Sequence, residues 1–282
     1  MCDQDHFEED LKRYSRRDIG RIVSAGLGAA LILPQVANAA EVAESDVEIK
    51  TADGVCDAYF VAPASGQHAA VLVWPDIFGL RPAFRSMGKR LAESGYSVLV
   101  INPFYRSRKA PVAEDATSTP IREVSPLARE LNAKTHVDDA RAFVQWLDEQ
   151  PQVDRKRKIG TIGYCMGGSI VFRTAATVPE RIGAAATFHG GGLVSDKDDS
   201  PHRLISKMKA QFLIAIAEND DQRDPESKNV LKEAFSQAGL NAEIEVYPAG
   251  HGWCPPDTRV HDPEQAEKAW SRMLALFETA LA

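Results

Sequence analysis

The 282-residue chain predicts an α/β fold: a mostly parallel, twisted sheet with helices on both faces and an antiparallel hairpin at its N-terminal end. Three observations predict it. Short, continuous apolar runs recur along the chain, as expected of strands buried on both faces of a parallel sheet. They alternate with longer segments of helical period, the signature of βα units. Ahead of them, Asp53-Gly54 joins two alternating segments, the strongest short signal for a hairpin.

In order, strands are expected at residues 47–50 and 55–62, which form the hairpin, and then at 70–74 and 97–101 with a helix at 82–94 between them. Residues 105–126 are rich in proline and polar side chains and show no period, so this over-long loop is a candidate lid. A helix at 135–150 precedes a strand at 158–162, a helix at 169–176 and a strand at 184–188. The last units are strands at 211–217 and 242–247, each followed by a helix, at 225–238 and 263–281. No repeat or low-complexity linker divides the chain, and residues 40–282 are read as one domain.

The most informative segment is Gly163-Tyr164-Cys165-Met166-Gly167-Gly168, between a strand and a helix. It has the form of a nucleophile elbow with sulfur in place of oxygen. In such a turn the central residue is held in a strained backbone conformation over the carboxyl end of the sheet, and only small neighbours two residues away on each side tolerate it. The amide of the following residue, Met166, would point at the oxyanion formed in acyl transfer. A buried, inert cysteine in a glycine-rich turn is the alternative. What favours a nucleophile is the order of residues downstream. The apolar run 211–217 ends in Glu218-Asn219-Asp220-Asp221, and the strand 242–247 runs into Gly250-His251-Gly252. An acid and a histidine thus follow successive strands, in the order α/β-hydrolases use. The thiol, with a reference pKa of about 8.5, needs His251 to take its proton, and the imidazole needs an acid to fix its tautomer.

With these motifs in view, the chain resembles the dienelactone hydrolase family (carboxymethylenebutenolidases), α/β-hydrolases with a Cys-Asp-His triad, over about residues 46–281. The resemblance also covers Pro75-Asp76-Ile77-Phe78-Gly79, Asn102-Pro103-Phe104-Tyr105, Ala217-Glu218-Asn219-Asp220 and Gly250-His251-Gly252-Trp253. It implies the α/β-hydrolase fold, cleavage of a small-molecule ester or lactone with no cofactor or metal, and Asp220 as the triad acid, with Asp221 as the fallback. The second oxyanion donor would be the amide of Ile77, after the third strand. Two departures bear on the substrate. The family has a glutamate that holds the resting thiol where this chain has Asp76, one methylene shorter, which leaves that role of Asp76 open. Of the two arginines with which the family clamps a substrate carboxylate, Arg106 or Arg108 fills the first place, but Pro255 occupies the second. Gly190-Gly191-Gly192, after His189, is expected to be a tight turn at the edge of the sheet, with lining of the pocket as the lesser alternative.

The formal net charge of −7, without a dense basic run, argues against a nucleic-acid partner. Ser15-Arg16-Arg17-Asp18-Ile19, an apolar stretch at 22–33 and Ala37-Asn38-Ala39 together read as a twin-arginine signal removed after Ala39. The stretch is shorter than the ~20 residues a bilayer span needs, so a periplasmic protein without a stable membrane anchor, monomeric or a small homo-oligomer, is expected. The cysteines Cys2, Cys56, Cys165 and Cys254 match no metal spacing. Cys254 is read either as packed beneath Trp253 or as a disulfide partner of Cys165. Two other functions stay open at this stage: a non-catalytic binding protein on the same scaffold, and a redox-active thiol protein.

Overall fold

The computed structural model describes residues 33–282. The predicted hairpin is longer than its apolar core: β1 (Val42–Thr51) and β2 (Gly54–Pro63) pair antiparallel over their full length. Residues 43–46 of β1 are exposed, which is why no apolar alternation marked them. β3 (Ala70–Trp74), α1 (Pro82–Glu93) and β4 (Ser97–Ile101) follow, with every residue of both strands buried. Next come α2 (Ile121–Glu130), α3 (Ala133–Asp148), β5 (Ile159–Tyr164), α4 (Gly167–Thr177) and β6 (Ile182–Phe188). β7 (Gln211–Ala217), α5 (Glu218–Arg223), α6 (Ser227–Ala238), β8 (Ala242–Tyr247) and α7 (Pro263–Ala280) complete the order.

The eight strands form one sheet in the order β1-β2-β4-β3-β5-β6-β7-β8. The β1–β2 and β2–β4 pairs are antiparallel and all the others parallel, so the expected mostly parallel sheet with an antiparallel N-terminal hairpin is present. Side chains from the two faces fall into two separate cores. One holds Phe143 of α3, Phe172 of α4 and Phe235 of α6, and the other Phe84 of α1 with Met273 and Phe277 of α7. Fully burying each such side chain stabilises the fold by roughly 1.5–3 kcal/mol.

Two helices arise where loops were expected. α2 begins inside the stretch without a period, and only Ile121 and Val124 of it are buried, too few to reveal a helical repeat. α5 starts directly after β7 with Glu218, Asp220 and Asp221 in its first turn, where carboxylates suit the positive end of the helix dipole. The Gly190 to Gly192 turn corrects its expectation. It follows β6, which lies between β5 and β7, so it leaves the carboxyl end of an inner strand rather than the edge of the sheet, and it lines a cavity there.

The twin-arginine sequence and most of the apolar stretch after it lie outside the described residues. Among the described residues, no helix is long and apolar enough to cross a membrane.

Candidate active site

Register places the site. Trp74 pairs with Gly163, Tyr164 with Phe188, and Ala217 with Tyr247, so the loops leaving β3, β5, β6, β7 and β8 open side by side at the carboxyl end of the sheet. Ligands bind in this crevice in open α/β sheets. A cavity of about 400 Å³ lies there, and Asp76, Ile77, Cys165, His189, Asp220 and His251 all line it.

Cys165 has φ of 51°, the left-handed region in which a non-glycine residue is strained. Three bonds hold it: its amide donates to the Phe188 carbonyl at 3.1 Å, and its own carbonyl accepts from the amides of Gly168 at 3.1 Å and Gly191 at 3.0 Å. The glycines on either side are required by contact. A Cβ on Gly163 would lie 2.4 Å from the Gly167 carbonyl oxygen, and one on Gly167 would lie 2.4 Å from that of Trp74. α4 begins at Gly167, two residues beyond Cys165.

The Nδ1 of His251 lies 2.6 Å from Oδ2 of Asp220, and both are partly buried. Asp221 turns away and holds Lys228 with both oxygens at 2.6 and 2.7 Å. Asn219, which carried no role in the sequence reading, accepts the His251 amide on Oδ1 at 2.8 Å, and the Glu218 amide donates to the Ala249 carbonyl at 3.0 Å. Together they tie the loop after β8 to the one after β7 and so set where the imidazole stands.

His189 was also given no role, although it immediately precedes the glycine run. Its φ is 42°, it is 1% exposed, and its ring packs edge-to-face on both His251 and Trp253 with centroids 5.0 Å apart. Burial, reinforced by the nearby His251, holds the His189 imidazole well below the usual histidine range, so it packs as a neutral ring. Cys254 lies in the core with Tyr164 and Trp253 and does not line the cavity; burial pushes its thiol well above the ordinary value. No disulfide joins Cys56, Cys165 and Cys254.

The Asp76 side chain is committed elsewhere. It accepts the Phe78 amide at 2.9 Å and the Arg81 guanidinium at 2.6 and 3.0 Å. Arg81, 1% exposed, also donates to both oxygens of Asp257, at 2.6 and 2.9 Å, and Asp257 accepts the Ala116 amide at 3.2 Å. This buried Asp-Arg-Asp cluster braces the Ile77 loop, the segment around Ala116 and the segment after His251 against one another. Burial raises the Asp76 carboxyl, while Arg81 opposes that rise.

Neither Arg106 nor Arg108 lines the cavity. Arg106 grips the buried Asp139 with two bonds of 2.9 and 2.8 Å and donates to Asp53 at 2.8 Å, while Arg108 is exposed. Arg106→Ala should therefore act on stability: leaving Asp139 buried with only the Tyr105 hydroxyl costs roughly 2–4 kcal/mol, below the full figure for a sealed ion pair because Arg106 is partly exposed. Denaturant melts would read that loss. A raised KM for acidic esters with unchanged stability would instead return Arg106 to the site.

Among the described residues, no group of three or more His, Cys, Asp or Glu could hold a metal ion. The model of the dienelactone hydrolase family matches residues 56–281. A Synechocystis sp. protein, provisionally named as a carboxymethylenebutenolidase, is 27% identical over 229 residues, covering 79% of this chain and 91% of its own. The carboxymethylenebutenolidase of Rhodococcus opacus is 26% identical over 227 residues, covering 77% and 83%. Among solved structures, a provisionally named dienelactone hydrolase from Klebsiella pneumoniae superposes with a TM-score of 0.73 at 24% identity, covering 84% of this chain and 99% of its own.

Proposed function

Because the chain belongs to the dienelactone hydrolase family, we propose that it hydrolyses a carboxylic ester or lactone through an acyl-enzyme on Cys165, with Asp220 and His251 completing the triad. The observation that carries the reading is the 2.6 Å bond between Asp220 and Nδ1 of His251 at the cavity that the left-handed Cys165 also lines. A carboxylate on Nδ1 keeps that nitrogen protonated and leaves Nε2 as the base.

Cys165 gives its proton to His251, and its sulfur attacks the substrate carbonyl. The carbonyl oxygen takes up negative charge that the amides of Met166 and Ile77 stabilise. When the tetrahedral intermediate collapses, the carbon–oxygen ester bond breaks and the alkoxide leaves with the proton held on His251. Water then gives a proton to His251 and attacks the thioester; as the acid departs, the sulfur regains a proton. Incubation with p-nitrophenyl acetate followed by rapid acid quench should add one acetyl mass to the Cys165 peptide. An acetyl group elsewhere, or turnover without it, would reject the covalent route.

The same reading includes export. The twin-arginine sequence supports a periplasmic enzyme, since that route carries folded proteins and would bury the thiol before it meets oxidant. Replacing Arg16 and Arg17 together by lysine should leave the precursor in the cytoplasm, and unchanged periplasmic recovery would reject export by this route.

A further inference from the structure

We infer that this site selects a neutral ester or lactone with an apolar acyl group, rather than a substrate that carries its own carboxylate. The inference rests on the hydrolase reading above and names its substrate class.

The walls of the cavity come from distant parts of the chain and are largely hydrocarbon: Ile77 and Phe78 after β3, Ile121 of α2, Leu193 after the glycine turn, Ile216 of β7 and Leu231 of α6. All but Ile216 are buried, and the surface they still turn to the cavity is apolar, so a ligand that covers it gains. At about 400 Å³ the cavity is at the small end for small-molecule sites.

The charges at the wall point the same way. The lining holds the carboxylates Asp76, Asp220, Asp221 and Asp224 against the cations Arg223, Lys228 and Arg259. Lys228 already holds Asp221 with both oxygens, and Arg223 lies 3.2 Å from Asp220. A substrate carboxylate would have to leave water and then displace a carboxylate from its partner, which brings no net gain in ion pairing. Arg259 is the remaining cation; among the described residues it pairs with no carboxylate, and it donates to the Thr117 carbonyl at 2.7 Å. It is exposed, where an ion pair contributes little. The arginines that could have clamped an acid, Arg106 and Arg108, are outside the cavity.

The test compares kcat/KM for p-nitrophenyl acetate, butyrate and hexanoate with that for p-nitrophenyl hydrogen glutarate, an acidic ester of similar length. Each methylene buried against these walls is expected to raise kcat/KM roughly three- to fourfold until the cavity is full. The acidic ester should be at least about tenfold slower than the neutral butyrate, since its charge is desolvated without a new partner. Val194→Arg, which adds a cation to a half-buried place in the lining, should raise the acidic-to-neutral ratio about tenfold. A flat chain-length series overturns the inference. So does a wild-type preference for the acidic ester that disappears in Arg259→Ala, which would make Arg259 a carboxylate clamp. In both cases the esters are still turned over and the hydrolase reading survives; if no ester is turned over, both fall.

Discussion

Cys165→Ala is expected to lower kcat/KM for a simple ester by at least ~10³-fold, because removing the nucleophile of a covalent mechanism disables both half-reactions at once. Alanine is small enough to keep the turn, since the residues that must stay small there are Gly163 and Gly167. The variant should therefore fold, with a circular dichroism spectrum and melting curve close to those of the parent. His251→Ala should lose at least ~10²-fold, the low end for losing a general base. The double variant should be little worse than Cys165→Ala alone, because residues that act as a unit are not additive. Substantial turnover in Cys165→Ala would move the chemistry away from the elbow.

Asp220→Asn is the second large effect. The amide keeps the size of the side chain but can present N–H to the histidine, which favours the wrong tautomer and withdraws the charge that stabilises the imidazolium. A loss of roughly 10²–10⁴-fold in kcat is expected, with a smaller change in KM. Asp221→Asn frees Lys228 instead and should cost less than about tenfold, because its carboxylate holds that lysine and does not touch the imidazole. Measuring both variants with one ester ranks the two acids, and the reverse order would transfer the role to Asp221.

Much of this arrangement was legible in local pattern. The runs at 70–74, 97–101 and 211–217 read as buried strands because a strand covered on both faces has no polar side, and all three are strands in the structure. The elbow was legible because a left-handed central residue between close backbones leaves room only for glycine at Gly163 and Gly167. Gly168 belongs to the same crowding, through Thr187 and Gly190 on β6 and its loop, and nothing local to the elbow signals that contact. α2 and α5 escaped detection because they are short and bury few or no side chains, so hydrophobic period carries no trace of them.

Fold class, family and the chain order of a thiol after one strand, then an acid and a histidine after two later consecutive strands, could all be read from the residues alone. Those features are written in nearest-neighbour patterns of burial and backbone strain, which a linear reading can see. Which charges meet became visible once the chain was folded. Asp220 and Asp221 are adjacent in sequence, but consecutive residues of a helix point about 100° apart, so one reaches His251 and the other Lys228. Arg106 was a candidate for the substrate, yet it lies against Asp139. Arg81 bridges Asp76, five residues away, to Asp257, 176 residues away. An ion pair depends on which chain segments the fold brings within a few ångströms, and no local pattern of residues encodes that distance.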